Sequence, residues 1–407
     1  MRILLANTGH PATIKGGAEA AVLDLAHALV GRGHEVALAV HHAGNSLEER
    51  CENGVRVYGL PNRNLYFGFD GERHSAAARL AWHALDSANP FMASAFGAVL
   101  DRERPDVLNT HVLAGLSPLI WREAARRNVP IVHYLHEYGA LCPRGSTFRD
   151  GHLCASPCAG CLPFGLPRRR LSRLVDGVAG VSRFTLERHL DWGLFPNAAA
   201  CVLPNVFHGL GFAGRHVVPD APLRIGYFGR LIPDKGAHLL IEAASRLPPD
   251  GWTLDIAGTG DPGYVLDLKA SAGPNVRFLG WAKAETFFPD IDLLVLPSLW
   301  PDPQPRVTFE AFSHGVPVVG ARAGGIPEEI DDGETGWLFE AGSAGDLSRV
   351  LAARLADRAD RELPARHFGE RLARLDPHRV IRDYERVYEG AIERARSGPA
   401  EMQFAAS

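Results

Sequence analysis

Long hydrophobic runs are missing from this sequence of 407 residues. The longest apolar stretches, such as Leu293–Pro297, are far shorter than the roughly 20 residues of a membrane-spanning helix. The apolar segment near the N-terminus is too short for a signal peptide and runs directly into polar residues and glycine. We therefore predict a cytoplasmic protein.

The sequence also lacks an excess of positive charge and a high cysteine content. Its formal net charge of -4 makes a nucleic-acid partner unexpected. Six cysteines are too few for a fold held together by disulfides. What remains, 46% hydrophobic and 22% charged residues, is typical of a globular protein, and the length predicts two or three domains.

Strands and helices alternate through residues 1–207. The opening is a βαβ pattern, with strands at Arg2–Ala6 and Glu35–Val40 around a helix that follows a glycine-rich turn. Continuous apolar runs predict further strands near 107–111, 131–136 and 177–181, and Ser75–Asp101 is predicted as one long helix. Such alternation indicates a parallel sheet covered on both faces.

The alternation stops at 208–222, which is rich in Gly and Pro and is predicted to be a linker. It resumes over 223–375, and 376–397 is a long amphipathic helix that is expected to cross back to the N-terminal domain, because its apolar face needs a surface to pack on. We predict an α/β protein with two Rossmann-like, doubly wound domains that face each other across a cleft. Ligands of such sheets bind at the carboxyl ends of the strands.

Two segments have the residue types that bind phosphate. Gly16 and Gly17 lie at a strand-to-helix junction, where the backbone can approach a ligand and helix N–H groups are free. Arg230 and Lys235 flank a turn that begins at Gly229, just before a helix, and two cations there can clamp a diphosphate. The alternatives are a plain tight turn and a solvated pair of surface charges.

A pair of carboxylates, Asp302 and Glu310, begins and ends a loop-to-helix segment. Carboxylates accept two hydrogen bonds at once and so bind vicinal sugar hydroxyls well. A glycosidase acid and nucleophile pair is a second interpretation, and simple surface acidity is a third.

Four cysteines are clustered: Cys142, Cys154, Cys158 and Cys161 have the spacing C-x11-C-x3-C-x2-C. They lie in a long loop, 139–167, that is rich in Gly and Pro. In a cytosolic protein this pattern indicates structural zinc first, although an iron–sulfur cluster and reduced or paired thiols remain open.

A short basic stretch, Arg168–Val175, follows the cysteine loop. It could contact anionic lipid or a lipid-linked acceptor and so place the protein at the inner face of the membrane. A solvated helix face is the alternative.

Several of these motifs, in this order, resemble the family 4 glycosyltransferases. The segment Asp302–Val319 is similar to the acidic signature of that family, which is two Glu residues with seven residues between them. The other matching segments are Gly16–Glu19, Asn109–His111, Phe228–Arg230 with Lys235-Gly236, Ala257–Gly260, Val276–Gly280, Gly324–Glu328 and Asp332–Phe339. The resemblance implies a GT-B fold and transfer of a sugar from a nucleotide sugar with retained anomeric configuration.

The resemblance also implies roles for individual residues. His111, Arg230, Lys235 and Asp302 are the implied catalytic residues, with the two cations on the leaving diphosphate and the other two near the donor sugar. The implied donor-binding residues are Gly16, Gly17, Gly229, Arg277, Leu279, Gly280, Arg306, Val307 and Glu310. Asp302 and Pro305 depart from the usual Glu and Gly of the family, in a loop that contacts the donor sugar.

The leading hypothesis is a retaining glycosyltransferase that uses a nucleotide-diphosphate sugar. Its acceptor is a glycan, a lipid-linked molecule or a small molecule in bacterial glycoconjugate synthesis, with His136 and Glu137 as candidate acceptor-side groups. No cofactor is expected for catalysis, and the four cysteines are expected to hold at most a structural zinc. A sugar-nucleotide epimerase and a non-catalytic nucleotide-sugar-binding protein are the alternatives.

Overall fold

The computed structural model describes residues 1–14, 16–69, 71–207, 211–212, 221–356 and 363–397. They form two compact units. Unit 1 contains Met1–Thr147 together with 154–207 and 375–397, and unit 2 contains 148–153 and the described residues of 211–374. Most of the predicted linker, 208–222, lies outside the described residues.

The strands in chain order are β1 (Arg2–Asn7), β2 (Glu35–His41), β3 (Glu48–Glu52), β4 (Val55–Leu60), β5 (Val107–Thr110), β6 (Ile131–Leu135), β7 (Phe148–Arg149), β8 (His152–Leu153), β9 (Gly177–Gly180), β10 (Ala199–Val202), β11 (Leu223–Phe228), β12 (Trp252–Ala257), β13 (Val276–Gly280), β14 (Leu293–Leu296), β15 (Val318–Ala321) and β16 (Gly336–Phe339). The α-helices are α1 (Gly17–Gly31), α2 (Ala76–Ser87), α3 (Pro90–Glu103), α4 (Leu119–Ala125), α5 (Leu162–Leu171), α6 (Arg183–Asp191), α7 (Ala237–Ala244), α8 (Pro262–Ser271), α9 (Ala284–Phe287), α10 (Arg306–Ser313), α11 (Ile326–Glu329), α12 (Ala344–Ala356), α13 (Ala365–Ala373) and α14 (Pro377–Ser397). Short 3-10 helices occupy Ser172–Leu174, Pro233–Lys235 and Phe288–Asp290.

The main sheet of unit 1 has the strand order β10-β9-β6-β5-β1-β2-β4-β3. All its pairs are parallel except the last, in which β3 runs antiparallel to β4. In the centre of the sheet, Leu4 of β1 pairs with Ala37 on one side and with Leu108 on the other. All three are buried, because helices cover both faces, and this is why the strands are continuous apolar runs.

Unit 2 contains a second sheet, of order β13-β12-β11-β14-β15-β16, in which every pair is parallel. Its core is formed by strand residues such as Ile225, Leu254 and Val295 together with apolar residues of α7 and α12. The predicted α/β class, with two doubly wound parallel sheets, is therefore confirmed.

The helix predicted over Ser75–Asp101 is wrong as a single element. It divides into α2 and α3 at Asn89 and Pro90. The Asn89 side chain accepts hydrogen bonds from the N–H groups of Phe91 and Met92, and Pro90 takes the first helical position. An Asn cap followed by Pro is a helix start, and the apolar periodicity that continues through it hid this signal.

The last helix, α14, belongs to unit 1. Its apolar residues Val380, Ile381, Tyr384 and Tyr388 are buried in the same core as β1 and β2. The Tyr388 hydroxyl donates a hydrogen bond of 2.7 Å to Oδ1 of Asn109, which is fully buried on β5. No helix of the described residues is long and apolar enough to cross a membrane.

Candidate active site

Two loops at the carboxyl edge of the unit 2 sheet are joined by backbone hydrogen bonds. The N–H groups of Leu299 and Trp300, which follow β14, both donate to the carbonyl oxygen of Asp234, which follows β11. Gly236, two residues after Asp234, has φ 73°, and a Cβ on it would lie 1.9 Å from the carbonyl oxygen of Pro297 in the loop after β14. Only glycine fits so close an approach. This close approach of the two loops brings Lys235, the predicted cation, next to Asp302, the predicted carboxylate.

Lys235 and Asp302 form an ion pair at this edge. Asp302 is only 6% exposed, and the Lys235 ammonium also lies 5.1 Å from the centre of the Trp300 ring. The carbonyl oxygen of Asp302 accepts a 2.7 Å hydrogen bond from the N–H of Gly325, which fixes the loop after β14 against the loop after β15. The two groups expected to bind adjacent parts of one ligand are thus in contact with each other.

Arg230 has a different environment. It is exposed, and within the described residues its guanidinium makes no hydrogen bond or ion pair, while its carbonyl oxygen accepts a 2.7 Å hydrogen bond from the hydroxyl of buried Tyr227. The backbone of Arg230 is therefore fixed, while its guanidinium group is available to bind a ligand. The N–H of neighbouring Gly229 is already used, since it donates to the carbonyl oxygen of Ala257.

The second acidic residue, Glu310, lies on α10, which begins at Arg306 and continues through Val307. Burial raises the pKa of its carboxyl group above the ordinary value, and Arg306 opposes part of that shift. Sequence reasoning missed a third carboxyl group, Glu329, which is 4% exposed. Burial, with a further contribution from the negative charge of Asp302, raises the pKa of Glu329 well above its usual range.

Residues of β13 have separate roles in the structure. The Arg277 guanidinium forms two hydrogen bonds of 2.6 Å with Asp255, which is 3% exposed on β12. This side chain therefore ties β13 to β12. Leu279 is 48% exposed, and no atom lies within 4 Å of a Cβ built on Gly280, so the end of the strand offers an apolar side chain beside open space.

In unit 1, His111 follows β5 and lines a cavity of about 200 Å³. Its Nδ1 lies 2.9 Å from Nε2 of His136, and its own buried Nε2 has no hydrogen-bond partner in the described residues. Burial, helped by His136 and His133, lowers the pKa of His111 well below the usual value. The ring is therefore neutral at pH 7 and has one nitrogen left for a ligand.

Two carboxyl groups line the same cavity, Asp86 on α2 and Glu137 after β6. Burial raises the pKa of each to about 7. The Asp86 carboxyl accepts a 2.9 Å hydrogen bond from the N–H of Gly115, and Arg168 lies 3.7 Å from it. Sequence reasoning missed Asp86. The feature of the sequence that could have indicated it is a charged residue near the end of an otherwise mostly apolar helix.

Arg168 also changes the interpretation of the basic stretch. It is 8% exposed and donates a 2.8 Å hydrogen bond to the carbonyl oxygen of Gly139, so it faces the cavity and not a surface. Arg169, Arg170 and Arg173 are exposed. The stretch is therefore not one uniform basic face.

The glycine turn before α1 is occupied by a carboxyl group of the chain itself. Glu19, in the first turn of α1, is 8% exposed, and a Cβ on Gly16 would lie 2.1 Å from its Oε2. Burial raises the pKa of Glu19 above the ordinary value. Gly17 has open space beside it, with no other atom within 4 Å of a Cβ built there. An anion at this helix end would lie next to Glu19, which sequence reasoning did not foresee.

The cysteine cluster is partly assembled. The sulfur of Cys161 lies 3.4 Å from that of Cys158 and 3.6 Å from that of Cys142, and all four predicted ligands are free of disulfides. Among the described residues, no group of three or more His, Cys, Asp or Glu side chains is arranged to hold a metal ion.

Comparison with protein families gives two matches, one in each half of the chain. Residues 16–206 match the family described as "Glycosyl transferase 4-like domain", and residues 222–357 match "Glycosyl transferases group 1". The matched segments contain Lys235, Asp302 and Glu310 in the second half and His111 in the first.

Individual proteins agree with these matches. A protein of Klebsiella pneumoniae, described as an uncharacterized 42.6 kDa protein in the cps region, is 27% identical over 328 residues, which cover 81% of this chain and 87% of that protein. Among solved structures, sucrose-phosphate synthase of Thermosynechococcus elongatus has a TM-score of 0.75 at 20% identity, covering 95% of this chain and 98% of that one. HepE of Anabaena, solved in complex with UDP, has a TM-score of 0.69 at 20% identity, covering 96% and 100%.

Proposed function

This chain is a member of the family 4 glycosyltransferases and has the GT-B fold, and we propose that it transfers a sugar from a nucleotide-diphosphate sugar to a hydroxyl acceptor with retained configuration. The observation that carries the proposal is the pairing of Lys235 with Asp302 at the carboxyl edge of the unit 2 sheet, beside Arg230. UDP in the HepE structure supports a nucleotide-diphosphate donor.

The pair suits a ligand in which a diphosphate and a sugar are directly bonded. Lys235 is assigned to the diphosphate and Asp302 to the sugar hydroxyls, and these two parts of the donor are neighbours just as the two side chains are. Without donor, each side chain neutralises the other, which avoids an unpaired charge at a nearly buried position. Donor replaces this contact with one charge-assisted partner for each group.

The reaction breaks the bond between the anomeric carbon and the diphosphate oxygen. Negative charge develops on the diphosphate as this bond breaks, and Lys235 and Arg230 are assigned to stabilise it. Glu310 is assigned to the ribose hydroxyls of the nucleotide. In a front-face mechanism the leaving phosphate oxygen takes the proton of the attacking hydroxyl, so the sugar keeps its configuration without a protein nucleophile.

The acceptor is assigned to the unit 1 cavity. Nε2 of His111, the carboxyl groups of Asp86 and Glu137, and the Arg168 guanidinium give the cavity hydrogen-bonding groups of several kinds. The indole of Trp82 is also in the lining and offers an apolar surface. This combination suits a polyhydroxylated acceptor such as the end of a glycan, free or lipid-linked, in bacterial glycoconjugate synthesis.

Peripheral membrane contact is a finer part of the proposal. Leu162 and Leu166 lie one turn apart on α5 and are 49% and 59% exposed. Arg169 and Arg170 follow on the same helix and are exposed. An apolar pair beside cations is the pattern of a helix that lies on an anionic lipid surface, where a lipid-linked acceptor would be found.

The test is a product assay with radiolabelled nucleotide sugars, with and without a panel of glycan and lipid-linked acceptors. The expected result is acceptor-dependent transfer, with an α-linked product from an α-linked donor when the linkage is read by NMR. An inverted linkage would overturn retention. Donor conversion without acceptor would instead indicate an epimerase, and donor binding without turnover under every condition would indicate a non-catalytic protein.

A further inference from the structure

The four clustered cysteines have no role in sugar transfer, yet three of their sulfurs already lie together in unit 1. The Cys161 sulfur is 3.4 Å from that of Cys158 and 3.6 Å from that of Cys142. A disulfide requires about 2.05 Å, so these sulfurs are in contact without being bonded. In a tetrahedral zinc–thiolate site with bonds of about 2.3 Å, neighbouring sulfurs lie about 3.8 Å apart. The observed separations are within a few tenths of an ångström of that value.

The backbone around Cys158 and Cys161 holds the two sulfurs on one side of a tight turn. The N–H groups of Cys161 and Leu162 both donate to the carbonyl oxygen of Cys158, at 2.8 and 3.0 Å. Cys161 directly precedes α5, a helix of 10 residues. The turn and the helix start therefore fix the backbone positions of two of the four cysteines.

A partly buried cation lies near Cys154, the remaining cysteine of the cluster. Arg188 of α6 is close enough to Cys154 and Tyr138 to interact with them electrostatically. Its Nε and Nη2 atoms are buried and have no hydrogen-bond partner in the described residues. Four thiolates around Zn²⁺ carry a net charge of -2, and N–H donors to the sulfurs are the usual way in which proteins balance that charge. The unused donors of Arg188 are suited to this task.

We propose that Cys142, Cys154, Cys158 and Cys161 bind one structural Zn²⁺. The Cys161 sulfur contacts those of Cys142 and Cys158, and metal binding requires side-chain rotations that bring all four sulfurs around one point. Each thiol that binds loses its proton to solvent, and all four ligands are then thiolates. Four protein ligands leave no open position, so the metal is not a site of chemistry.

The zinc would stabilise the cavity wall of unit 1. Gly139, Ala140, Pro143, Arg144 and Gly145 line the cavity, and Cys142 lies within this segment. The loop from 139 to 161 contains little regular structure apart from the two-residue strands β7 and β8. A bound metal links the two ends of this loop, so its loss is expected to loosen the wall without disturbing nucleotide binding by unit 2.

The experiment is elemental analysis of untagged full-length protein, by mass spectrometry of metals. About one zinc per chain is expected in the wild type and in the control Cys51→Ser, whose cysteine is exposed and outside the cluster. The double variant Cys158→Ser, Cys161→Ser is expected to contain none, and limited proteolysis is expected to cut it within 139–161. If the double variant does not fold, chelator-treated wild type replaces it, and added zinc is expected to restore protease resistance.

Three results would overturn the proposal. One is metal-free wild type whose four thiols react freely with a thiol reagent in the native state. The second is a Cys158–Cys161 disulfide in protein purified under non-reducing, acid-quenched conditions. The third is visible absorbance with iron and sulfide in the elemental analysis, which would replace zinc with an iron–sulfur cluster.

Discussion

The proposed donor site in unit 2 and the proposed acceptor cavity in unit 1 differ in the environment of their ionisable groups. Three ion pairs lie in unit 2: Lys235 with Asp302, Arg277 with Asp255, and Arg224 with Asp292. Burial raises the pKa of two other carboxyl groups of unit 2, Glu310 and Glu329. In the unit 1 cavity, burial is the largest cause for each shifted group: it raises the pKa of Asp86 and of Glu137 to about 7 and lowers that of His111.

This difference follows from what each region is proposed to bind. A diphosphate carries fixed negative charge, and only cations that stay charged across the physiological pH range can stabilise it. An acceptor sugar is neutral, and neutral donors and acceptors bind it without the cost of removing charged groups from water. The comparison therefore predicts that unit 1 responds to pH near neutrality and that the ion pairs of unit 2 do not.

The largest effect expected is on the pH dependence of stability. Because the folded pKa of Asp86 is raised from 3.8 to about 7, the folded state binds its proton more tightly than the unfolded state does. The contribution of protonated Asp86 to the free energy of unfolding is fully present below about pH 4. It decreases as the pH rises and is lost above about pH 7, a total change of about 4 kcal/mol at most. Asp86→Asn removes this loss, so urea denaturation between pH 4 and 8 is expected to show a flatter profile than in the wild type. Asp267→Asn, at an exposed position, is the control, and equal slopes in all three proteins would contradict the buried-carboxyl interpretation.

Next in size is the loss of the unit 2 cations. Arg230→Ala and Lys235→Ala are each expected to lower turnover by about 100-fold, as does the loss of one transition-state donor in other enzymes. Lys235→Ala also leaves Asp302 nearly buried without its partner, so it is expected to lower stability as well, whereas exposed Arg230 is not. Steady-state kinetics and thermal melts separate these effects, with Arg349→Ala as the control because its side chain is 71% exposed on α12. Near-normal turnover in both variants would remove the two cations from the mechanism.

A smaller effect separates the two carboxylates of unit 2. Glu310→Gln is expected to weaken binding of free nucleoside diphosphate about tenfold, which corresponds to about 1.4 kcal/mol. Asp302→Asn is expected to leave that binding unchanged and to impair transfer, since its assigned partner is the sugar. Calorimetry with UDP and other nucleoside diphosphates measures the first effect, and transfer assays measure the second. An equal loss of nucleotide affinity in both variants would show that the two roles are not separate.

The smallest effect concerns a neutral buried contact in unit 1. Tyr388→Phe removes the hydroxyl that donates to Asn109 and leaves a buried amide oxygen without its partner. The expected cost in the free energy of unfolding is about 1 kcal/mol, independent of pH between 6 and 8. Chemical denaturation measures it, and a pH-dependent cost would show that the contact is coupled to an ionisable group.

Regular elements with a strong pattern were predictable from the sequence. The apolar strands β1, β2, β11 and β14 follow from runs that are buried on both faces. The elements that sequence reasoning missed have weak patterns. Strand β3, Glu48–Glu52, contains four charged residues and is recognisable only because it pairs with β4. Helix α8 has little difference between its faces and a single buried residue, Leu268.

The candidate site shows the same division. Residue types and spacing indicated Lys235 and Asp302 because these charges followed predicted strands at the edge where ligands bind, and the family resemblance added His111. They could not indicate that Lys235 pairs with Asp302, 67 positions away, or that Glu19 lies against the Gly16 turn. Nor could they show that Arg277 is committed to Asp255.

The sequence by itself determined the two α/β units and the amphipathic helix at 377–397, and it indicated candidate residues for phosphate, sugar and zinc. These properties are local, since they depend on periodicity, turn chemistry and residue type. The tertiary structure decided which ionisable residues are paired and which have a pKa shifted by burial, as for Asp86 and Glu329. The physical reason is that hydration and neighbouring charges set a pKa, and both are fixed only when distant segments of the chain pack together.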